Sequence, residues 1–247
     1  MSDHHPYLDG PHPRIYAHRG WHVGELAGLE NTLAGFAHAV ERGYAYLELD
    51  VHASADGVPM VHHDHTLDRT TDASGPLVAR QADELAEVRV GGREPVPRLE
   101  TVLAALPDTR VTIELKSDDV VAPTLAVLER LDAWDRVCLG SASDARLRRA
   151  RAAGPRLLTS MGTGSVFGLR TWAWTGRRLL PIAGGLAQLP HRVGPLTVTD
   201  AAVLRRAREL GVEVHVWTVN DPAEMRALLD LGVDGLLTDR PDLLIDL

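Results

Sequence analysis

The sequence predicts one α/β domain, a distorted (β/α)₈ barrel with a β-hairpin excursion after its second strand. Short apolar runs alternate with helical patterns, which calls for parallel strands with helices outside them. Eight such runs occur, and 247 residues suit a single barrel of this kind. An open doubly wound sheet is the alternative arrangement of the same alternation. The barrel is expected over residues 14–247, behind a polar N-terminal tail at 1–13.

The expected strands are 14–18, 45–51, 111–115, 137–140, 157–160, 185–189, 213–218 and 235–238. Helical patterns stand at 32–42, 120–131, 144–153, 200–210 and 223–231. Asn31 or Thr32 can cap the first helix and Gly43 follows its end. Asp221-Pro222 sets a capping residue before a proline at the first helical position, and Gly232 closes that helix. Residues 65–97, with Gly75-Pro76 and Gly91-Gly92, read as an irregular excursion carrying one short helix near 82–88.

Composition narrows the function. A hydrophobic share of 45% and a charged share of 24% are ordinary for a globular domain. The lone Cys138 excludes an internal disulfide framework and fits a reducing compartment. Net charge is −8, no long Lys/Arg run occurs, and Arg146–Arg151 has the spacing of a solvated helix face, so a nucleic-acid partner is disfavoured. The first 13 residues lack the apolar core of a secretory signal. The most apolar stretch, 166–189, is broken by Arg170, Arg177 and Arg178, and reads as a covering loop or barrel helix; contact of its aromatic and basic mix (Phe167, Trp172, Trp174) with a membrane surface is the alternative. A cytoplasmic protein is the expectation; oligomeric state is not legible.

Four fragments carry chemistry. In Glu48-Leu49-Asp50 the two carboxylates share one strand face, among apolar neighbours that argue for burial. Buried carboxylates side by side repel unless a cation joins them, and oxygen donors suit Mg²⁺ or Ca²⁺; a solvated strand edge is the plainer alternative. Asp56-Gly57 reads as a two-residue hairpin turn, whose register sets Asp50 opposite His63. In Ile113-Glu114-Leu115-Lys116, Glu114 and Lys116 share a face, either as a simple ion pair or as a third carboxylate beside a cation that meets phosphate. Ala17-His18-Arg19-Gly20 ends the first strand, at the barrel face where active sites lie; His18 suits proton transfer and Arg19 offers a fork of donors to phosphate. No Walker loop or G-x-S-x-G elbow occurs, Cys138 reads as a buried thiol, and Gly162-Thr163-Gly164-Ser165 reads as loop.

Taken in order and spacing, these fragments resemble glycerophosphodiester phosphodiesterases. They are joined by Glu30-Asn31-Thr32, His63-Asp64, Leu67-Asp68-Arg69-Thr70-Thr71 and the closing stretches 214–220 and 232–241. The resemblance runs from about Arg14 to Asp242. It implies a distorted (β/α)₈ barrel and hydrolysis of a small-molecule glycerophosphodiester to glycerol 3-phosphate and an alcohol. It also implies one divalent ion, Mg²⁺ or Ca²⁺, on Glu48, Asp50 and Glu114. His18 and His63 would be the acid–base pair, Arg19 and Lys116 would hold phosphate, and Trp217 would line the glycerol end. Glu30 and Asn31 would sit close by, with Gln188 and His191 facing substrate from a less similar stretch. Leu29 stands where the family usually has proline. Cleavage of intact lipid on a similar barrel, and a silent glycerophosphodiester-binding barrel, are the rival readings.

Overall fold

The computed structural model describes residues 5–154 and 156–244. Its centre is a ring of eight parallel strands: β1 Arg14–His18, β2 Tyr46–Ala53, β3 Arg110–Leu115, β4 Val137–Gly140, β5 Leu158–Thr159, β6 Leu186–Pro190, β7 Glu213–Trp217 and β8 Gly235–Thr238. Neighbours run β5-β4-β3-β2-β1-β8-β7-β6, and a parallel bridge between Ser160 and Leu186 closes the ring. The open doubly wound sheet is thereby excluded. Around it stand α1 Leu33–Glu41, α2 Ala82–Glu87, α3 Leu99–Ala105, α4 Val121–Arg130, α5 Asp144–Ala153, α6 Thr163–Thr175, α7 Ala201–Glu209 and α8 Pro222–Leu231.

Local chemistry sets these boundaries. Thr32 caps α1 by accepting from the Gly35 N–H at 3.1 Å. Ser143, Asp200 and Asp221 do the same for α5, α7 and α8, each cap contributing about 1 kcal/mol. Alternation along the strands sorts side chains between two layers. On β2, Leu47, Leu49 and Val51 join the apolar layer under the helices, while Tyr46 turns into the ring. Gly235 of β8 is dictated by crowding, since a Cβ there would meet the Arg14 carbonyl at 2.6 Å.

Residues 5–13 are not a free tail. Pro6–Asp9 form a 3₁₀ turn that inserts Tyr7, fully buried, into the ring interior. Tyr7, Tyr16 and Tyr46 fill the lower barrel with Leu158, Leu186 and Leu237. The Tyr7 hydroxyl donates to Tyr16 at 3.1 Å and lies 2.8 Å from the Thr112 hydroxyl. Tyr16 lies 2.9 Å from His215 Nδ1, and His215 reaches Glu213, which pairs with Arg14. Arg14 in turn donates to the carbonyls of Leu8 and Gly10. A polar segment was thus expected outside the barrel because one tyrosine among histidines and prolines has no periodicity to reveal it.

Two further expectations are corrected. The hairpin at Asp56-Gly57 has a three-residue loop: Ser54 N–H donates to the Val58 carbonyl, and Val51, His52 and Ala53 pair with Val61, Met60 and Pro59. The register is therefore one residue from that expected, and His62, not His63, donates its N–H to the Asp50 carbonyl. The stretch Gly162-Thr163-Gly164-Ser165 is the start of α6, not loop. The Asp144 carboxylate accepts from the N–H groups of Gly164 and Ser165 at 2.7 and 3.1 Å, doing the work of a cap from another helix. The excursion itself packs a small core of its own, including Met60, Leu67, Leu77 and Leu85. No helix among the described residues is long and apolar enough to cross a membrane.

The buried Tyr7 gives a direct test of the closed lower barrel. Tyr7→Ala is expected to lower unfolding stability by about 3–5 kcal/mol, and Tyr7→Phe, which removes only the hydroxyl bonds, by about 1 kcal/mol. Urea unfolding reads both; wild-type stability in Tyr7→Ala would mean that the segment does not belong to the folded unit.

Candidate active site

The C-terminal ends of the strands open into a cavity of about 570 Å³. His18, Arg19, Glu48, His63, Glu114 and Lys116 line one end of it, and Gln188 and Trp217 line it from β6 and β7. Asp50 sits just beneath, 1% exposed, with Glu48 at 3%. The pairing of β2 with β3 sets Asp50 beside Glu114 and Glu48 beside Thr112. Carboxylate oxygens of Glu48, Asp50 and Glu114 all lie within 4.8 Å of one another.

Cations of the chain surround this trio without neutralising it evenly. Lys116 Nζ lies 2.8 Å from Asp50 and 3.2 Å from Glu114. The Arg19 guanidinium lies 3.4 Å from Asp50 and 3.0 Å from Glu30. Asn31 donates its amide to Asp50 at 2.9 Å. Burial alone would raise the Asp50 pKa, but Lys116 and Arg19 hold it below the ordinary value. Glu48 meets no Lys or Arg side chain so closely, only the Arg19 N–H and the His18 ring, and burial followed by the charge of Asp50 pushes its pKa well up. Three hard oxygen donors with charge left over fit one divalent cation of the Mg²⁺ or Ca²⁺ kind.

Two imidazoles flank the carboxylates. His18 Nδ1 donates to Asp239 at 2.6 Å, and its Nε2 lies 3.6 Å from Glu48. Burial would lower the His18 pKa, but Glu48 and Asp239 together raise it. Burial would likewise raise Asp239, whose hydrogen bond to His18 instead holds it far below the carboxylate range. His63 Nδ1 donates to Asp64 at 2.6 Å. His63 reaches the cavity by a route other than the expected register. The chain leaves the ladder after Val61, His62 turns to the Thr66 carbonyl at 3.1 Å, and the next side chain faces inward.

The backbone after β1 is shaped for the same purpose. Arg19 holds φ +57° and Gly20 φ +80°. In that conformation the Arg19 N–H reaches both the carbonyl and the carboxylate of Glu48. A side chain on Gly20 would also meet the Phe36 ring at 2.9 Å, so the glycine serves both the turn and the packing.

Other sequence candidates take supporting places. Glu30 accepts from Arg19 and from Arg69, which bring its pKa down to about 2 against the effect of burial. Gln188 donates to the Thr112 hydroxyl at 3.1 Å on the cavity floor. His191 does not line the cavity; it pairs with Glu224 of α8. Asp239, Asp64 and Arg69 were not singled out as site residues. Period two along β8 continues from Leu237 to Asp239 and would have found the first, and Asp64 adjoins His63.

Comparison with known proteins follows this geometry. The sequence profile of the Glycerophosphoryl diester phosphodiesterase family matches residues 18–243. A Mycobacterium tuberculosis protein named "Probable glycerophosphodiester phosphodiesterase 2" is 38% identical over 239 residues, covering 93% of this chain and 88% of its own. A Caldanaerobacter subterraneus protein named glycerophosphodiester phosphodiesterase is 29% identical, covering 94% and 96%. The crystal structure of a glycerophosphodiester phosphodiesterase from Agrobacterium tumefaciens superposes with a TM-score of 0.76 at 28% identity, covering 95% of this chain and 99% of that one.

The uneven neutralisation has a sign that can be measured. A raised folded-state pKa makes the Glu48 contribution full below the ordinary carboxylate range and lost as pH rises through neutrality. Asp50 runs the other way, its contribution lost only as pH falls below that range. With divalent ions chelated, Glu48→Gln is expected to exceed wild-type stability above neutral pH by on the order of 1–2 kcal/mol. The gap should shrink on acidification in urea unfolding; a gap independent of pH would mean that Glu48 is ionised throughout.

Proposed function

The chain belongs to the glycerophosphoryl diester phosphodiesterase family, whose enzymes hydrolyse glycerophosphodiesters, and from this premise we propose how its own residues carry the reaction. His18 and His63 are the general acid–base pair, Glu48, Asp50 and Glu114 are the ligands of one divalent metal, Mg²⁺ or Ca²⁺, and the products are glycerol 3-phosphate and an alcohol. The observation that carries the reading is the matched pair of imidazoles beside the carboxylate trio, each tied by Nδ1 to an aspartate. A carboxylate on Nδ1 keeps the ring proton there and leaves Nε2 to exchange a proton with substrate.

Bound at the trio, the metal would supply positive charge for the phosphodiester oxygens. Arg19 and Lys116 border the same carboxylates and offer donors to the phosphate. Trp217, at the end of β7, walls the glycerol side. Gln188, its amide committed to Thr112, leaves its carbonyl oxygen for a substrate hydroxyl. Asn31 and Glu30 act one step back, by fixing Asp50 and Arg19. One histidine takes the proton of the attacking hydroxyl as its oxygen bonds to phosphorus. The other gives a proton to the alkoxide as the P–O bond to the alcohol breaks. Water attack and attack by the glycerol 2-hydroxyl, followed by hydrolysis of the cyclic phosphate, use these same groups.

Glycerol 3-phosphate release from glycerophosphocholine and glycerophosphoethanolamine tests the reading. His18→Ala and His63→Ala are each expected to lower kcat by about 10²–10⁴-fold with unfolding stability retained. Near-wild-type turnover in either would remove that histidine from the chemistry. Full activity in excess EDTA would remove the metal.

A further inference from the structure

We propose that the mouth of the catalytic cavity is a docking face for an anionic lipid surface. The proton-transfer and phosphate groups occupy one end of the cavity. The other side is apolar, and four of its large side chains also stand in solvent: Phe167 and Val193 at 59% exposure, Leu196 and Trp217 at 43%. Singly scattered exposed apolar residues are ordinary, but a contiguous patch marks an interaction site. Here they converge from three elements. Phe167 comes from α6 and Trp217 from the end of β7. Val193 and Leu196 are the facing pair of a small antiparallel hairpin between β6 and α7. The chain returning from α6 continues the patch, with Leu180 packed 3.4 Å from where a Cβ on Gly168 would lie. Leu179 and Leu180 are themselves exposed.

Charge selects the partner. Between Ala145 and Thr199 the chain has nine arginines and no Asp or Glu, in a protein of net charge −8. Some of these arginines are engaged: Arg146 and Arg149 by Asp118, Arg156 by Asp135, Arg170 by Asp200. For Arg177, Arg178 and Arg192, all exposed, the described residues supply no carboxylate. They border the apolar patch on the α6 return and on the hairpin. Apolar side chains bordered by cations that meet no carboxylate among the described residues match the acyl–headgroup boundary of an anionic membrane. Each basic side chain near such a surface strengthens partitioning by roughly fivefold. The acidic remainder of the molecule is repelled by the same surface, so the charge asymmetry also orients the cavity mouth toward lipid. Phosphodiesters at or shed from that surface then enter the cavity without crossing bulk solvent.

Cosedimentation with vesicles tests this without reference to turnover. The full chain is mixed with vesicles of phosphatidylcholine alone or of phosphatidylcholine with phosphatidylglycerol, at low and high salt. Binding is expected only with phosphatidylglycerol and is expected to weaken with salt. Arg177→Glu/Arg192→Glu should reduce it by at least about 25-fold, while its unfolding midpoint and its hydrolysis of soluble glycerophosphocholine stay at the wild-type level. Val193→Ser/Leu196→Ser should reduce it by about tenfold. No sedimentation with anionic vesicles, or sedimentation that both double variants retain, would overturn the proposal. Equal binding to pure phosphatidylcholine would overturn the assignment of an anionic surface. A dimer in solution that Val193→Ser/Leu196→Ser disperses, without vesicle binding, would give the face to a second copy of this chain instead.

Discussion

Three carboxylates held within 4.8 Å of one another at the top of a closed barrel repel, and most of the site can be read as the answer to that repulsion. Two of them are buried on one strand, so they cannot turn away into water. The chain meets the problem with charge where it can: Lys116 against Asp50 Oδ1, and Arg19 together with the Asn31 amide against its Oδ2. It leaves Glu48 short of a full partner, and the raised proton affinity of Glu48 is the measure of what is left over. Carboxylates held this close must also be held stiffly, because relaxation would let them part. Stiffness comes from below, where three tyrosines and a chain of hydrogen bonds from Thr112 through Tyr7, Tyr16 and His215 to Glu213 fill the ring. Thr112 is common to both levels, since it also accepts the Gln188 amide on the cavity floor.

The same electrostatics ties His63 to the carboxylates across the barrel rim. Arg19 joins Asp50 to Glu30, Glu30 joins Arg19 to Arg69, Arg69 binds Asp64, and Asp64 holds His63. The excursion after β2 is therefore not a loose insertion. Its own apolar core fixes its shape, and this ionic chain fixes its position against the turn after β1. Partly buried charge-assisted bonds of this kind contribute more to placement than to stability. His18 needs no such bridge, since Asp239 directly follows β8, the ring strand paired with β1.

What the sequence reveals follows from how local each constraint is. Period two along β2 and β3 is local, and it sorts Glu48, Asp50, Glu114 and Lys116 to one face without any knowledge of the fold. Helix caps at Thr32 and Asp221 are equally local. The hairpin register was misjudged by one residue because Asp-Gly is compatible with a two- or a three-residue loop, and the Ser54 hydroxyl accepting from Val58 N–H favours the longer one. His63 still faces the cavity because the bend after Val61 offsets the slip. Tyr7 was illegible because its partners Tyr16, Tyr46 and Thr112 stand on three strands that only the closed ring brings round it. The start of α6 was hidden because its cap is a side chain from α5.

The exposed rim belongs to this last class, since no periodicity brings Phe167, Val193, Leu196 and Trp217 to one mouth; only the closed ring does. Its composition differs from that of the catalytic end in a way the hydrolytic chemistry does not require. The carboxylate trio, the two imidazoles, Arg19 and Lys116 all stand on or after β1, β2 and β3 or in the excursion, with Gln188 of β6 facing them across the floor. Residues 145–199, which carry α6 and the hairpin, supply apolar surface and arginine without a single carboxylate. A wall built only to enclose a small polar diester would gain nothing from exposing aromatic rings to water, because that exposure forgoes burial worth about 25 cal/mol for each Å². Exposure of this kind persists where something else covers it. The division of labour around the ring, chemistry on one arc and contact on the other, also lets one rim vary without disturbing the carboxylate trio, because no side chain of α6 or of the hairpin bonds to Glu48, Asp50 or Glu114 among the described residues.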